Sequence, residues 1–409
     1  MTSKITKYKL HFLILLVGLL WLSLMNALLQ LNQQNGIYAD SENYKESADF
    51  LYHHFQFHYY RPILMAAITG VPYLFGFSDS SLYDFSFFVN MVCWLATSLI
   101  LFELMKDFLS ERKALQLTLF FFLLLGCLVS IFHLLTESLY IFATTNAFYL
   151  LSKFYKTRRI VWLSAALSVF ILVMLIKPGA QYFAILLLIY FSKTLFNNRN
   201  KSSLVLVGLA LLLCGIQLCV MKKQYGNYTI SYVSGVTYYN YLGAKAISFK
   251  TQQPLKEIQR QRMDSIFALS YSDQQATGFS DLKKQIRHNS LNLVKAYCSN
   301  LLDNARTPSE GICINQNVTK DFHVWFKKAA FFISKWQNRL MTFAGIVLAL
   351  HFFLRARCVN FYSLVGCYIL YVFFISGFSF YQGDRFNIVF FPFVILLGSY
   401  WLKNRRQTN

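Results

Sequence analysis

The sequence predicts an all-α polytopic membrane protein with about ten membrane-spanning helices and both chain ends on the cytoplasmic side. Three observations predict it. Apolar residues make up 56% of the 409 and charged residues only 14%, against about 45–50% and 25% in soluble domains. The apolar residues come in blocks of roughly twenty, the length that crosses about 30 Å of hydrocarbon as helix. Lipid offers the backbone no hydrogen-bond partners, so such blocks must be helical. Third, the basic residues gather in alternate short loops, which is the positive-inside pattern. That pattern accounts for the net charge of +21, so no nucleic-acid groove is expected.

The first block, Leu10 to Gln30, follows Lys4, Lys7 and Lys9, which hold the N-terminus inside. It is too long for a removable signal peptide and lacks a small-residue cleavage site. Residues 32–82 form the first outer loop, acidic at Asp40, Glu42, Glu46 and Asp49 against Lys45. Within it, Arg61 to Phe77 is apolar but short and punctuated by Pro62 and Pro72, as an interfacial or re-entrant helix would be.

Further blocks cover 83–105, 114–132, 138–152, 160–176, 180–195 and 203–221. The inside loops carry Lys106, Arg112 and Lys113, then Lys153, Lys156, Arg158 and Arg159, then Lys193, Arg199 and Lys201. The outer turn from His133 to Glu137 has no Lys or Arg, and the next has only Lys177. From 222 to 327 the chain is hydrophilic, a small, mainly helical extracytoplasmic segment between spans seven and eight. Leu282, Ile286, Leu293, Tyr297 and Leu301 stand there at helical spacing, which predicts an amphipathic helix over 280–302. Spans at 329–354, 359–380 and 386–402 follow, with Arg355 and Arg357 inside and Lys403, Arg405 and Arg406 holding the C-terminus inside. The chain thus divides into a transmembrane catalytic module (1–221), an outer domain (222–327) and a three-helix part (328–409).

Cys93, Cys127, Cys214, Cys219 and Cys367 lie in apolar blocks and read as small hydrophobes. Cys298 and Cys313 share the hydrophilic segment, where a disulfide would form if that side is oxidising. Asn227 and Asn317 begin sequons, triplets common by chance.

Polar groups gather at the outer helix ends: Asp40, Arg61, Thr136-Glu137, Lys177-Pro178 and Gly383-Asp384-Arg385. Distant in sequence, they share one depth. Carboxylates beside cations at that depth suit chemistry on a lipid-borne phosphate ester. A carboxylate takes the proton of an acceptor hydroxyl, while a cation stabilises the departing phosphate. Arginine is apt, since its planar fork donates two parallel hydrogen bonds. Each residue also has a plainer reading: a solvated Asp40, a capped Glu137, and Arg61, Lys177 and Arg385 as snorkelling anchors. His53 and His54 are adjacent and diverge on a helix, so with His58 they make no metal site. No cofactor is required, although a divalent metal is compatible with the carboxylates.

Asp40-Ser41-Glu42-Asn43-Tyr44, Ala48, Tyr60-Arg61-Pro62 and Leu74-Phe75-Gly76 together resemble the N-terminal pattern of GT-C fold glycosyltransferases. The branch is that of protein O-mannosyltransferases and bacterial aminoarabinose transferases. Leu135-Thr136-Glu137-Ser138-Leu139 resembles their fourth-helix motif, Lys177-Pro178 a later outer turn, and Asp384-Arg385-Phe386 with Pro392 their last span. The resemblance implies transfer of a hexosyl or pentosyl group from a polyprenyl-phosphate carrier to a lipid, glycan or protein acceptor. It further implies a bacterial inner membrane, with the site facing the periplasm. By it Asp40 is the base and Glu137 supports the site. Arg61, Lys177 and Arg385 meet the carrier phosphate, and Tyr44 and Tyr60 line the substrate. The family's Asp-Glu pair is Asp40-Ser41 here with Glu42 next, so either acid can be the base. The large outer segment also lies between spans seven and eight, whereas many members carry theirs at the C-terminus.

Two other classes remain. An O-antigen-type polymerase or ligase would place its key cations, such as Arg260, Arg262 and Arg287, in the large loop. A secondary transporter would place ionisable groups near the bilayer midplane.

Overall fold

A computed structural model describes residues 2–31, 38–197, 201–312, 321–356, 358–380 and 382–408. Cys313, Asn317 and Arg357 lie outside these residues. The described chain is all helical.

Helix α1 (Thr2–Leu29) precedes two short helices, α2 (Ala39–His54) and α3 (Ile63–Thr69). The main bundle continues with α4 (Asp79–Lys106), α5 (Glu111–Phe122), α6 (Leu125–Val129), α7 (Glu137–Thr157), α8 (Ile160–Val173), α9 (Gln181–Asn197) and α10 (Lys201–Tyr225). A layer of smaller helices follows: α11 (Val233–Val236), a π-helical turn (Thr237–Gly243), α12 (Ala244–Thr251), α13 (Leu255–Phe267), α14 (Tyr271–His288) and α15 (Ser290–Arg306). The chain then returns to the bundle through α16 (Asp321–Arg355), α17 (Phe361–Ser376) and α18 (Phe391–Thr408).

Residues 8–29, 79–106, 178–197, 203–225 and 321–355 are helices long and apolar enough to cross a membrane. The chain is a multi-pass membrane protein. A sixth candidate is the pair α5–α6, which is bent by 64° where one continuous block over 114–132 was expected. The bend frees backbone groups that lipid cannot satisfy. Gln337 of α16 takes up both: its Oε1 accepts from Leu125 N at 2.9 Å and its Nε2 donates to Leu123 O at 2.7 Å.

Residues 61–77 form α3 and a 3₁₀ turn, Val71–Phe75, too short to span. The helix expected over 280–302 is two helices. Asn289 leaves the helical region (φ −148°, ψ 31°), and its side-chain amide donates to Ala246 O (3.3 Å) and Gln285 Oε1 (2.7 Å). Asparagine competes in this way for backbone groups and breaks helices. Leu282, Leu293 and Tyr297 still face inward, onto Leu242, Ala246 and Ala296.

A buried amide junction ties this layer to the bundle. Asn338 Nδ2 donates to Asn304 O and Thr307 O, both at 2.7 Å, and Asn304 Nδ2 donates to Ser376 O and Ser379 O, both at 2.9 Å. Asn387 Nδ2 donates to Asn304 O (3.1 Å) and Asn338 Oδ1 (3.2 Å). The ends of α15 and α17, the middle of α16 and the turn before α18 are thereby fixed together.

Candidate active site

The site is built where five connections meet at one end of the bundle. Asp40 and Glu137 lie in the first turns of α2 and α7, where the exposed N–H groups favour a carboxylate. Arg61 follows a tight aromatic segment. His58 Nδ1 accepts from the backbone N–H groups of Tyr60 and Arg61, each at 3.1 Å. Tyr232 N donates to Tyr59 O at 3.0 Å and Ser231 Oγ to Tyr60 O at 2.6 Å. Tyr59 stacks on Tyr271 with ring centroids 4.0 Å apart. Lys177 is the extended residue that closes α8 before Pro178. Leu64 N donates to Leu175 O at 3.0 Å, which holds this connection against α3. Arg385 sits in the turn before α18, where Asp384 O accepts from Asn387 N (2.9 Å) and Ile388 N (3.0 Å).

These side chains form one ionic chain. Arg61 Nη2 donates to Asp40 Oδ1 at 2.7 Å, and Arg385 Nη1 to Asp40 Oδ2 at 2.6 Å. Arg385 Nε donates to Glu137 Oε1 at 3.0 Å, and Lys177 Nζ to the same oxygen at 3.2 Å. Glu137 is fully buried, and its Oε2 has no hydrogen-bond partner among the described residues. Aromatic faces line the cations: Tyr44 under Arg61 (4.6 Å), Tyr38 under Arg385 (4.9 Å), and Phe386 (5.3 Å) and Tyr140 (5.7 Å) beside Lys177. Tyr44 Oη lies 3.4 Å from Thr136 Oγ1. Three cations face two carboxylates, so the chain of ion pairs keeps one surplus positive charge. Burial pushes the Asp40 carboxyl up, but the charges and hydrogen bonds of Arg385 and Arg61 outweigh it and hold Asp40 well below the usual carboxylate range.

Five of the expected residues (Asp40, Arg61, Glu137, Lys177 and Arg385) are thus bonded together, with Tyr44 packed on them. Glu42 and Tyr60 are not. Glu42 pairs with Lys45 (3.1 Å) and accepts from Tyr83 (3.2 Å). Tyr60 turns its hydroxyl to Gln274 Oε1 at 2.7 Å. His53 and His54 both contact Asp49, and His58 lies 3.2 Å from Glu46. Among the described residues no group of three or more His, Cys, Asp or Glu is disposed to hold a metal ion. Cys298 is exposed and free.

Three neighbours were not singled out from the sequence, and Asp384, named there beside Arg385, joins them. Gln382 Oε1 accepts from Arg385 Nη1 at 3.1 Å. Tyr38 donates to Glu310 Oε2 at 3.4 Å, and burial raises the Glu310 carboxyl above its ordinary value. Asp384 is buried, and that burial pushes its carboxyl up to about 7, against hydrogen bonds from its own backbone and Ser309. It packs on Gly126 of α6, where a Cβ would overlap Asp384 Oδ2 and approach Ile388 Cγ2 to 2.6 Å. Tyr38 and Gln382 carried a signal, standing two and three residues from Asp40 and Arg385 respectively; Glu310 carried none.

No family model matches the chain, and no curated protein matches it. Among solved structures it is similar to the oligosaccharyltransferase of Archaeoglobus fulgidus in the apo form, at 12% identity and a TM-score of 0.48, over 99% of this chain and 51% of that one. It is similar also to that enzyme tethered by a disulfide bond to an acceptor peptide containing the NVT sequon, at 15% identity and a TM-score of 0.45, over 99% and 50%. The chain spans about half the length of the archaeal enzyme.

Proposed function

We propose that the protein is a membrane glycosyltransferase that moves a sugar from a polyprenyl-phosphate carrier to a lipid, glycan or protein acceptor on the non-cytoplasmic face. One observation carries the reading. Carboxylates and cations from five separate connections are bonded into a single chain, buried at Glu137 and Arg385 and part-buried elsewhere, whose ion-paired groups carry one surplus positive charge. A glycosyl phosphodiester carries one negative charge and balances that surplus. Buried, unneutralised charge is costly, so a structural cluster would be expected to be neutral.

The acceptor hydroxyl attacks the anomeric carbon and its proton passes to Asp40. The bond from that carbon to the phosphate oxygen breaks, and the electron pair leaves on the phosphate. Asp40 is ionised at neutral pH and is the base. Arg61, Lys177 and Arg385 meet the phosphate as its charge grows, and Glu137 positions Arg385 and Lys177. Tyr44 supports Arg61 by its ring. Glu42 and Tyr60 stand one layer back, as supports of the first loop and of the Arg61 segment.

In this reading the bent α5–α6 pair, α7, α8, α17 and α18 complete ten crossings with the five long apolar helices. The site end faces the periplasm of a bacterial inner membrane, and residues 222–327 form the outer domain between the 1–221 and 328–409 parts. A diphosphate-linked donor, as a polymerase or ligase would use, brings more negative charge than the site's surplus. Arg262, a part-buried arginine of the large loop, is engaged with Asp281 and Tyr239 O.

The test incubates purified protein with a panel of polyprenyl-phosphate sugars and scores carrier release, with and without chelator. Release from at least one donor, lost in Asp40→Asn, is expected. Release from none would overturn the reading.

A further inference from the structure

The three cations are not held alike. Arg385 is shared among Asp40, Glu137 and Gln382, and Lys177 donates to Glu137 between two aromatic rings. The Arg61 guanidinium has one acceptor, Asp40 Oδ1, and a tyrosine face. Its Nε is buried with no hydrogen-bond partner among the described residues. A buried guanidinium N–H without an acceptor costs free energy that an arriving anion would recover. Each oxygen of Asp40, meanwhile, is covered by one arginine. Each oxygen keeps a second lone pair, but the two guanidinium charges lower its affinity for the proton of a hydroxyl.

We infer that Arg61 passes from Asp40 to the phosphate of an incoming lipid phosphodiester, and that this hand-over uncovers Asp40 Oδ1 as the base. The inference rests on the glycosyltransferase reading and adds an order of events to it: donor first, then acceptor. Phosphate offers the guanidinium two acceptor oxygens in the fork geometry it prefers, so Arg61 Nε gains a partner as Nη2 leaves Asp40. Arg385 keeps its hold on Asp40 Oδ2 through the Glu137 anchor, so the carboxylate stays in place. The proton of the acceptor hydroxyl then has a free oxygen to reach. Without donor, Asp40 is held by both arginines and is a weaker base towards water.

Losing one of its two cations, with an anion placed beside it, makes Asp40 more basic. The other groups acting on it or lying beside it are Tyr44, Tyr38, Glu137, Lys177, Arg385 and, from the π-helical turn, Tyr241. None of these is released by the hand-over.

The closing experiment reads Asp40 directly rather than by turnover. Dicyclohexylcarbodiimide reacts with protonated carboxyl groups, so peptide mass spectrometry of the full-length protein at pH 6 reports how readily Asp40 takes a proton. The probe is a polyprenyl methyl phosphodiester, which has no sugar to transfer, and polyprenol is its uncharged control. Radiolabelled probe measures binding. Saturating probe should raise Asp40 labelling on the order of tenfold, about one pKa unit, while polyprenol leaves it unchanged. Arg61→Gln and Arg61→Lys are expected to show high and low labelling respectively without probe. Bound probe with unchanged or reduced labelling in the wild type would overturn the hand-over, leaving the transfer reading to the donor panel. A probe that does not bind would remove the phosphodiester site itself.

Discussion

Arginines meet carboxylates in two regions of this protein, and they do different work. In the helical layer, Arg262 gives Nε and Nη2 to Tyr239 O (3.0 and 2.8 Å) and Nη2 to Asp281 at 2.6 Å, with the Tyr239 ring 3.5 Å away. One cation meets one anion. At the bundle end, Arg385 and Arg61 share Asp40, Glu137 joins Lys177 to them, and the sum is positive. Arg61 Nε and Glu137 Oε2 are left without partners among the described residues. Burial and ion pairing alone therefore do not mark a site. Charge imbalance and open hydrogen-bonding valence do, because folding gains nothing from either.

The sharpest way to break this contrast is Asp40→Asn. Carrier release per folded molecule should fall roughly 10²–10⁴-fold, the usual worth of a positioned base, a larger loss than the lowered thermal midpoint from two weakened ion pairs accounts for. Retained transfer would reduce the bundle-end cluster to structure. Arg262→Gln should do the reverse. It strands Asp281 and is expected to cost about 3 kcal/mol of stability, read as a lower thermal midpoint, while turnover per folded molecule stays at the wild-type value.

Acid titration separates the two regions more finely. The Asp40 carboxyl is held below its unfolded value, so its stabilisation is full above the unfolded value of about 4. That contribution is lost as pH falls towards the folded value. Wild type should therefore lose more thermal stability than Asp40→Asn between neutral pH and about pH 3. Equal losses would mean that the arginines contribute nothing to holding the carboxylate. The smallest effect belongs to Glu42→Gln, expected within about 0.5 kcal/mol of wild type and with full carrier release, since Glu42 meets only Lys45 and Tyr83. A large loss there would move the base two residues along α2.

Much of this contrast was legible in the residues. Asp40, Glu137, Lys177 and Arg385 each stand at the end of an apolar block, and alternation of basic loops puts those ends on one face. Their meeting follows from topology, which hydropathy conveys. Direct pairing does not follow, because side-chain reach depends on helix packing. Glu42 illustrates this: two positions from Asp40 on a helix, it points roughly 200° around the axis. The break in the block over 114–132 was invisible because Leu123 and Leu124 are as apolar as their neighbours. What makes the bend tolerable is Gln337, 212 residues from Leu125. Glu310 escaped for the same reason, since its surroundings come from segments distant in the chain.

Gly126 sits just beyond that bend, with the Asp384 turn resting on its bare Cα. The gap is one hydrogen atom wide, so the kinked helix acts as a depth stop for the residue that follows Asp384. The reach of Arg385 to Asp40 and Glu137 is 2.6 and 3.0 Å, and a methyl-sized shim at position 126 would lift the turn by a comparable fraction of a bond. Geometry that decides whether two carboxylates share one guanidinium is thus set on the far side of the turn, by a residue that carries no charge.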